Sequence, residues 1–185
     1  MRSLNESTTN ILEWRRSGAN PRSFELHVEQ EVFATMAFMD EGCILARVET
    51  AEGTWTLKHL GVMNPVVTLR EEGGKVNLAT FHPHAFRHGR LEFEDGAAFD
   101  WIWHHGVGPG GTFADLSGMP LVRLHARTGR DATSLPGYEQ GDVELDTTHP
   151  ARFRHAILAA IGWYLIVFDH LKARDATAAE TALRM

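Results

Sequence analysis

The chain has a single cysteine, Cys43, so it forms no intrachain disulfide and carries no CxxC pair for redox or zinc chemistry. It has no excess of positive charge either. Its 18 Lys and Arg stand against 24 Asp and Glu, and a net charge of -6 gives no general attraction to nucleic-acid phosphates or anionic lipid. Aromatic and basic residues interleave at Phe86-Arg87-His88-Gly89-Arg90, but the run is short and no nucleic acid is expected as a partner. GxSxG, Walker A and HExxH motifs are absent, which removes the best-marked hydrolase, nucleotide-binding and metalloprotease classes. The opening MRSLNESTTN lacks the apolar run of a secretion leader, so a cytoplasmic protein is expected and Asn5-Glu6-Ser7 reads as a chance sequon.

Long hydrophobic runs are also missing. The longest, AILAAIGWYLIVF from Ala156 to Phe168, gives about 13 residues and about 20 Å of helix, against roughly 30 Å of bilayer hydrocarbon. Arg152, Arg154 and His155 before it and Asp169, His170 and Lys172 after it fix its limits, so no transmembrane segment is expected. This run is apolar on every side of a helical wheel, and such a helix needs apolar walls all round it.

The remaining chain supplies those walls. With 43% hydrophobic residues, one domain with a sizeable core is expected. From Phe24 onward apolar and polar residues alternate in short runs, the period-two pattern of half-buried antiparallel strands. The runs are Phe24 to Val28, Val32 to Met39, Ile44 to Thr50, Thr54 to Leu60, Val66 to Arg70, Val76 to Phe81, Arg90 to Glu94, Ala98 to Trp103, Leu121 to Ala126 and Val143 to Leu145. Asp40-Glu41-Gly42, Glu52-Gly53, Glu72-Gly73-Gly74 and Glu94-Asp95-Gly96 provide hairpin turns.

Phe99, Trp101 and Trp103 share one face of their strand and are expected in the core, with Cys43 as another inward strand residue. Within the first 20 residues Ile11-Leu12-Glu13-Trp14 reads as a short helical turn docked on the body, the first ten are expected to be mobile, and Gly129 to Gly141 reads as a surface loop. Asp146-Thr147-Thr148-His149-Pro150 signals the start of the final helix. On its wheel Ala159, Gly162 and Ile166 make a slim side, opposite bulky Ile157, Ile161, Tyr164 and Phe168.

The expected fold is therefore mainly β with α: a closed antiparallel β-barrel of about 10–12 strands wrapped around a buried C-terminal hydrophobic helix. Its parts are a flexible segment over 1–20, a barrel domain over 21–172 that includes the helix at 150–172, and a tail over 173–185. The segments GRLEFEDGAAFDWIW, FADLSGMPLVRLHAR and GDVELDTTHPARFRHAILAAIGWYLIVFDHL, in that order, resemble the ending of the tubby-like superfamily, with its LURP-one-related proteins and phospholipid scramblases, and suggest a bacterial-type member.

The resemblance implies a barrel around a central helix and a non-catalytic domain that binds a lipid, a small hydrophobic ligand or a protein partner at its surface. It does not bring membrane attachment with it, because the Pro-rich leader and acylated cysteine cluster of scramblase-like members are lacking. Nor does the tubby cationic pocket map onto Lys58, Arg70, Lys75 and Arg90, which read as solvated charges.

The alternative is a metal-dependent enzyme. His82, His84 and His88 in FHPHAFRHGR form the densest group among eleven histidines, and two His spaced by one residue on a strand face the same way, as one Zn²⁺ requires. His104 or Asp100 offers a further ligand, although Pro83 disturbs the strand. The main reading needs no cofactor. His104-His105 lies at a strand end suited to acid–base work by at most one imidazole. Gly106-Val107-Gly108-Pro109-Gly110-Gly111 matches GxGxxG without the helix a dinucleotide needs, and reads as a mobile hairpin loop at a barrel mouth.

Overall fold

The computed structural model describes residues 1, 3–4, 9–18, 20, 22–40, 42–61, 63–104, 108–128 and 138–183, by backbone alone at 128, 138–139, 153 and 173–183. Twelve strands follow one another: β1 (Ile11–Arg16), β2 (Ser23–Val28), β3 (Glu31–Phe38), β4 (Leu45–Thr50), β5 (Gly53–Leu60), β6 (Val66–Glu71), β7 (Ala79–Pro83), β8 (Gly89–Phe93), β9 (Ala98–His104), β10 (Gly110–Ala114), β11 (Pro120–Thr128) and β12 (Tyr138–Leu145). Each pairs antiparallel with the next, and β1 pairs with β12 to close the barrel. A 3₁₀ turn at Arg152–Arg154 then leads into one helix, α1 (His155–Leu183). This is the general shape that the tubby-like resemblance implies.

The alternation read from the sequence decides which side chains face inward. On β9 Phe99, Trp101 and Trp103 are buried while Asp100, Ile102 and His104 point outward. Gly73 and Gly96 take φ of +78° and +86° at two of the hairpin bends, where a side chain would strain the backbone.

The inward faces leave a space that α1 fills. Every residue from Leu158 to Phe168 is buried, so the helix has no solvent side over three turns. Its neighbours lie all round the wall. Trp163 stacks on Trp14 of β1 with centroids 6.1 Å apart and meets the edge of Phe24 of β2 at 5.5 Å. Tyr164 stacks on Phe38 of β3 at 5.6 Å, and on another side Gly162 abuts Leu124 of β11 and Trp101 of β9. The slim face expected around Gly162 is thus the face on which two strands approach.

The wall itself has matching gaps. Gly111 of β10 lies under the Trp101 ring and Gly141 of β12 under the Trp163 ring, so a β-carbon at either position would collide with an indole.

Several expectations are corrected. Ile11-Leu12-Glu13-Trp14 is not a helical turn: it is most of β1, with Leu12 and Trp14 inward and β12 and β2 paired on either side. Leu4, in the segment expected to be mobile, is buried in the core. Gly110 and Gly111, read as part of a loop, open β10, all five residues of which are buried. The surface loop expected over Gly129 to Gly141 ends sooner, because Tyr138 to Gly141 belong to β12; its residues 129–137 lie outside the described residues, as do His105, Gly106 and Val107.

Cys43 is buried as expected, but at φ +51° in the β3–β4 connection rather than on a strand. There the Asp40 carboxylate accepts hydrogen bonds from the Ile44 and Leu45 N–H groups and holds the turn. The α-helix begins at His155 rather than Pro150, because Asp146 binds the Thr148 N–H and hydroxyl in a turn of its own. Among the described residues no helix is long and apolar enough to cross a membrane.

Candidate functional site: a pocket where the helix leaves the barrel

α1 enters at the end of the barrel where Arg154 pairs with Asp95 and its guanidinium lies 4.0 Å from the centre of the Phe93 ring. At the same end His149 meets Asp115 at 3.1 Å. The helix leaves at the opposite end, beside the β5–β6 and β7–β8 connections.

The space left is a pocket of about 200 Å³ between α1 and the ends of β5, β6, β7 and β9. Val67, Phe81, Trp101, Trp103, Leu165 and Phe168 form its body, so the lining is mainly apolar and aromatic. Sites for drug-sized ligands run to roughly 300–1,000 Å³. This one suits a single ring or a short chain.

Four polar side chains stand at its rim: His59, Arg87, Asp169 and Lys172. Arg87 Nε lies 3.1 Å from Asp169 Oδ1, and the Arg87 guanidinium rests over the Trp103 ring at 5.3 Å. Lys172 Nζ lies 4.6 Å from the centre of the Phe168 ring, and His59 packs against the same ring at 4.6 Å. Burial raises the Asp169 pKa, and the charges of Arg87, His170 and Lys172 offset only part of that rise. Burial also lowers the His59 pKa, helped by the charge of Lys172.

The segment that carries Arg87 is strained. Phe86 and Arg87 have φ of 59° and 66°, two successive side-chain-bearing residues in the left-handed region, each costing on the order of 1–3 kcal/mol. The bend is closed by the His84 N–H bound to the His88 carbonyl at 2.7 Å. It is tied to the wall by the Trp103 N–H, which donates to His88 Nδ1 at 3.0 Å. Phe86, displaced outward by this geometry, is 78% exposed.

The histidines singled out as metal ligands lie in this same stretch but do not converge. His82, near the end of β7, is outward and 4.0 Å from Glu92; His84 precedes the bend; His88 uses Nδ1 on the Trp103 backbone. Among the described residues no three His, Cys, Asp or Glu side chains are placed to hold a metal ion. Pro83 ends β7, and His84 lies beyond the strand at the start of the bend. His104 faces outward on β9 against the Thr112 hydroxyl at 2.9 Å, and Asp100 is engaged by Arg90 at 2.8 Å. Arg70 binds Asn77 and, with Lys58, lines an outer hollow of about 140 Å³ on the barrel wall.

Arg87 and Asp169 escaped sequence reasoning. The histidines drew attention to the run that contains Arg87, and only the bend at Phe86 turns its guanidinium toward the helix. Asp169 reads from the sequence as the end of an apolar run, which is correct, but nothing in the run tells which rim it meets. The chain matches no protein-family model, no curated protein and no solved structure.

Proposed function

We propose that the chain is a tubby-like, LURP-one-related barrel that works in the cytoplasm as a non-catalytic binding module, taking a small hydrophobic molecule or one chain end of a lipid in the pocket beside the exiting helix. The observation that carries this reading is the lining: Trp101, Trp103, Phe81, Leu165 and Phe168 turn apolar surface to an opening that the helix leaves unfilled. The helix occupies the barrel interior, so the ligand belongs at the rim rather than in a lipocalin-like cavity. The rim groups are engaged with one another or with rings, Arg87 with Asp169 and Trp103, and Lys172 and His59 with Phe168, which suits orientation of a ligand.

Titration of the untagged protein with 1-octanol tests this, because Trp101 and Trp103 report on the pocket by their emission. The expected result is a saturable change that is lost in Val67→Phe, a variant that fills the hollow, while its thermal transition stays within a few degrees of the parent. A change that never saturates, or one that persists unaltered in Val67→Phe, contradicts the reading.

A further inference from the structure

We propose that the pocket selects small carboxylates, with a short acyl or single-ring body in the apolar hollow and the ligand carboxylate held between Arg87 and Lys172. This rests on reading the pocket as a binding site, and adds the chemical class of its ligand.

Five observations support it. The Arg87–Asp169 contact at 3.1 Å shows that a carboxylate fits against this guanidinium at the rim. Both cations are held by rings that also line the pocket, Arg87 over Trp103 and Lys172 over Phe168, so little side-chain freedom is left to lose on binding. Among the described residues the rim holds two cations, Arg87 and Lys172, and one carboxylate, Asp169. Burial also raises the pKa of that anion, so desolvation works against the ion pair it makes with Arg87. The left-handed bend at Phe86 and Arg87 fits the same picture, since strain is kept where a side chain must be held in one place.

Asp169 then acts as an internal competitor. It occupies Arg87 in the free protein and gives way when a ligand carboxylate arrives with an apolar body attached. An alcohol of equal length gains the apolar contact alone, and an amine meets two like charges.

The experiment is calorimetric titration of the full chain with octanoate, 1-octanol and octylamine, each below its aggregation limit. Octanoate is expected to bind about tenfold more tightly than 1-octanol, with octylamine weakest, the range that a charge-assisted pair supplies. Asp169→Asn is expected to raise the preference for octanoate over 1-octanol about threefold and Lys172→Gln to lower it about fivefold. If 1-octanol binds as well as octanoate, or if neither variant changes the ratio of the two, the carboxylate inference is overturned while apolar binding stands. If none of the three binds, the reading of the pocket as a site falls as well.

Discussion

Gly162 of α1 lies so close to Leu124 of β11 that a β-carbon placed on it would be 2.6 Å from Leu124 Cδ1 and 3.2 Å from the Trp101 ring. The helix is therefore fitted to the wall at the level of single carbons, and the fit makes opposing demands. Alanine at this position would gain about 1 kcal/mol of helix propensity over glycine. Forcing one extra carbon into a filled core costs about 1–3 kcal/mol. We expect Gly162→Ala to lose up to about 2 kcal/mol in chemical denaturation. Gly162→Trp, which no movement of Leu124 can accommodate, should yield no soluble folded protein. A Gly162→Ala protein more stable than the parent would show that the approach is looser than described.

His155 opens the helix as a buried, neutral imidazole. Burial lowers its pKa from 6.5 to about 4; the charges of His149 and Arg152 add to the effect and that of Asp146 opposes it. The folded state thus refuses a proton that the unfolded chain accepts, so stability declines as pH falls from about 6.5 toward 4, by about 3 kcal/mol in the limit at 1.36 kcal/mol per unit. The lowered carboxylates have ordinary values of 3.8 to 4.5, and their contributions are lost only at or below the acid end of that window. Denaturation of the parent and of His155→Gln between pH 7.5 and 4.5 should give diverging stabilities, with the variant's curve the flatter. Parallel curves would remove His155 from the explanation.

Of the three clustered histidines, His88 should behave differently from the other two. His88→Ala leaves the Trp103 N–H without its acceptor and releases the bend that carries Arg87, at a cost of about 1–3 kcal/mol. His82→Ala and His84→Ala remove exposed side chains and should lie within about 0.5 kcal/mol of the parent. Zinc added to the untagged protein should leave its thermal midpoint unchanged. A rise abolished by His82→Ala would restore the metal reading.

The barrel and its plug were legible because alternation and an all-round apolar helix are strong signals that few other arrangements satisfy. What hid the remaining wall was glycine. β10 begins Gly110-Gly111 and β12 carries Gly141; Gly111 and Gly141 are positions emptied so that Trp101 and Trp163 fit, and an emptied position breaks the very pattern by which a strand is recognised. β1 was lost for a different reason: its two inward residues, Leu12 and Trp14, are flanked by outward Ile11 and by charges, too short a run to set against a helical turn. The pocket was less legible still. Its aromatic residues are indistinguishable in sequence from the core that they extend, and the meeting of Arg87 with Asp169 depends on where the helix emerges and on a backbone bend at Phe86 that its side chain does not announce.

The account stands on α1 being enclosed by the barrel, and amide hydrogen exchange of Leu158 to Val167 measures that most directly. These amides should exchange only through global unfolding, with protection free energies equal to the stability found by denaturation and falling in step with it in Gly162→Ala. Exchange at the rate of frayed chain ends, or protection that ignores the loss of global stability, would mean that the helix opens independently of the wall and that the pocket beside it has no fixed side.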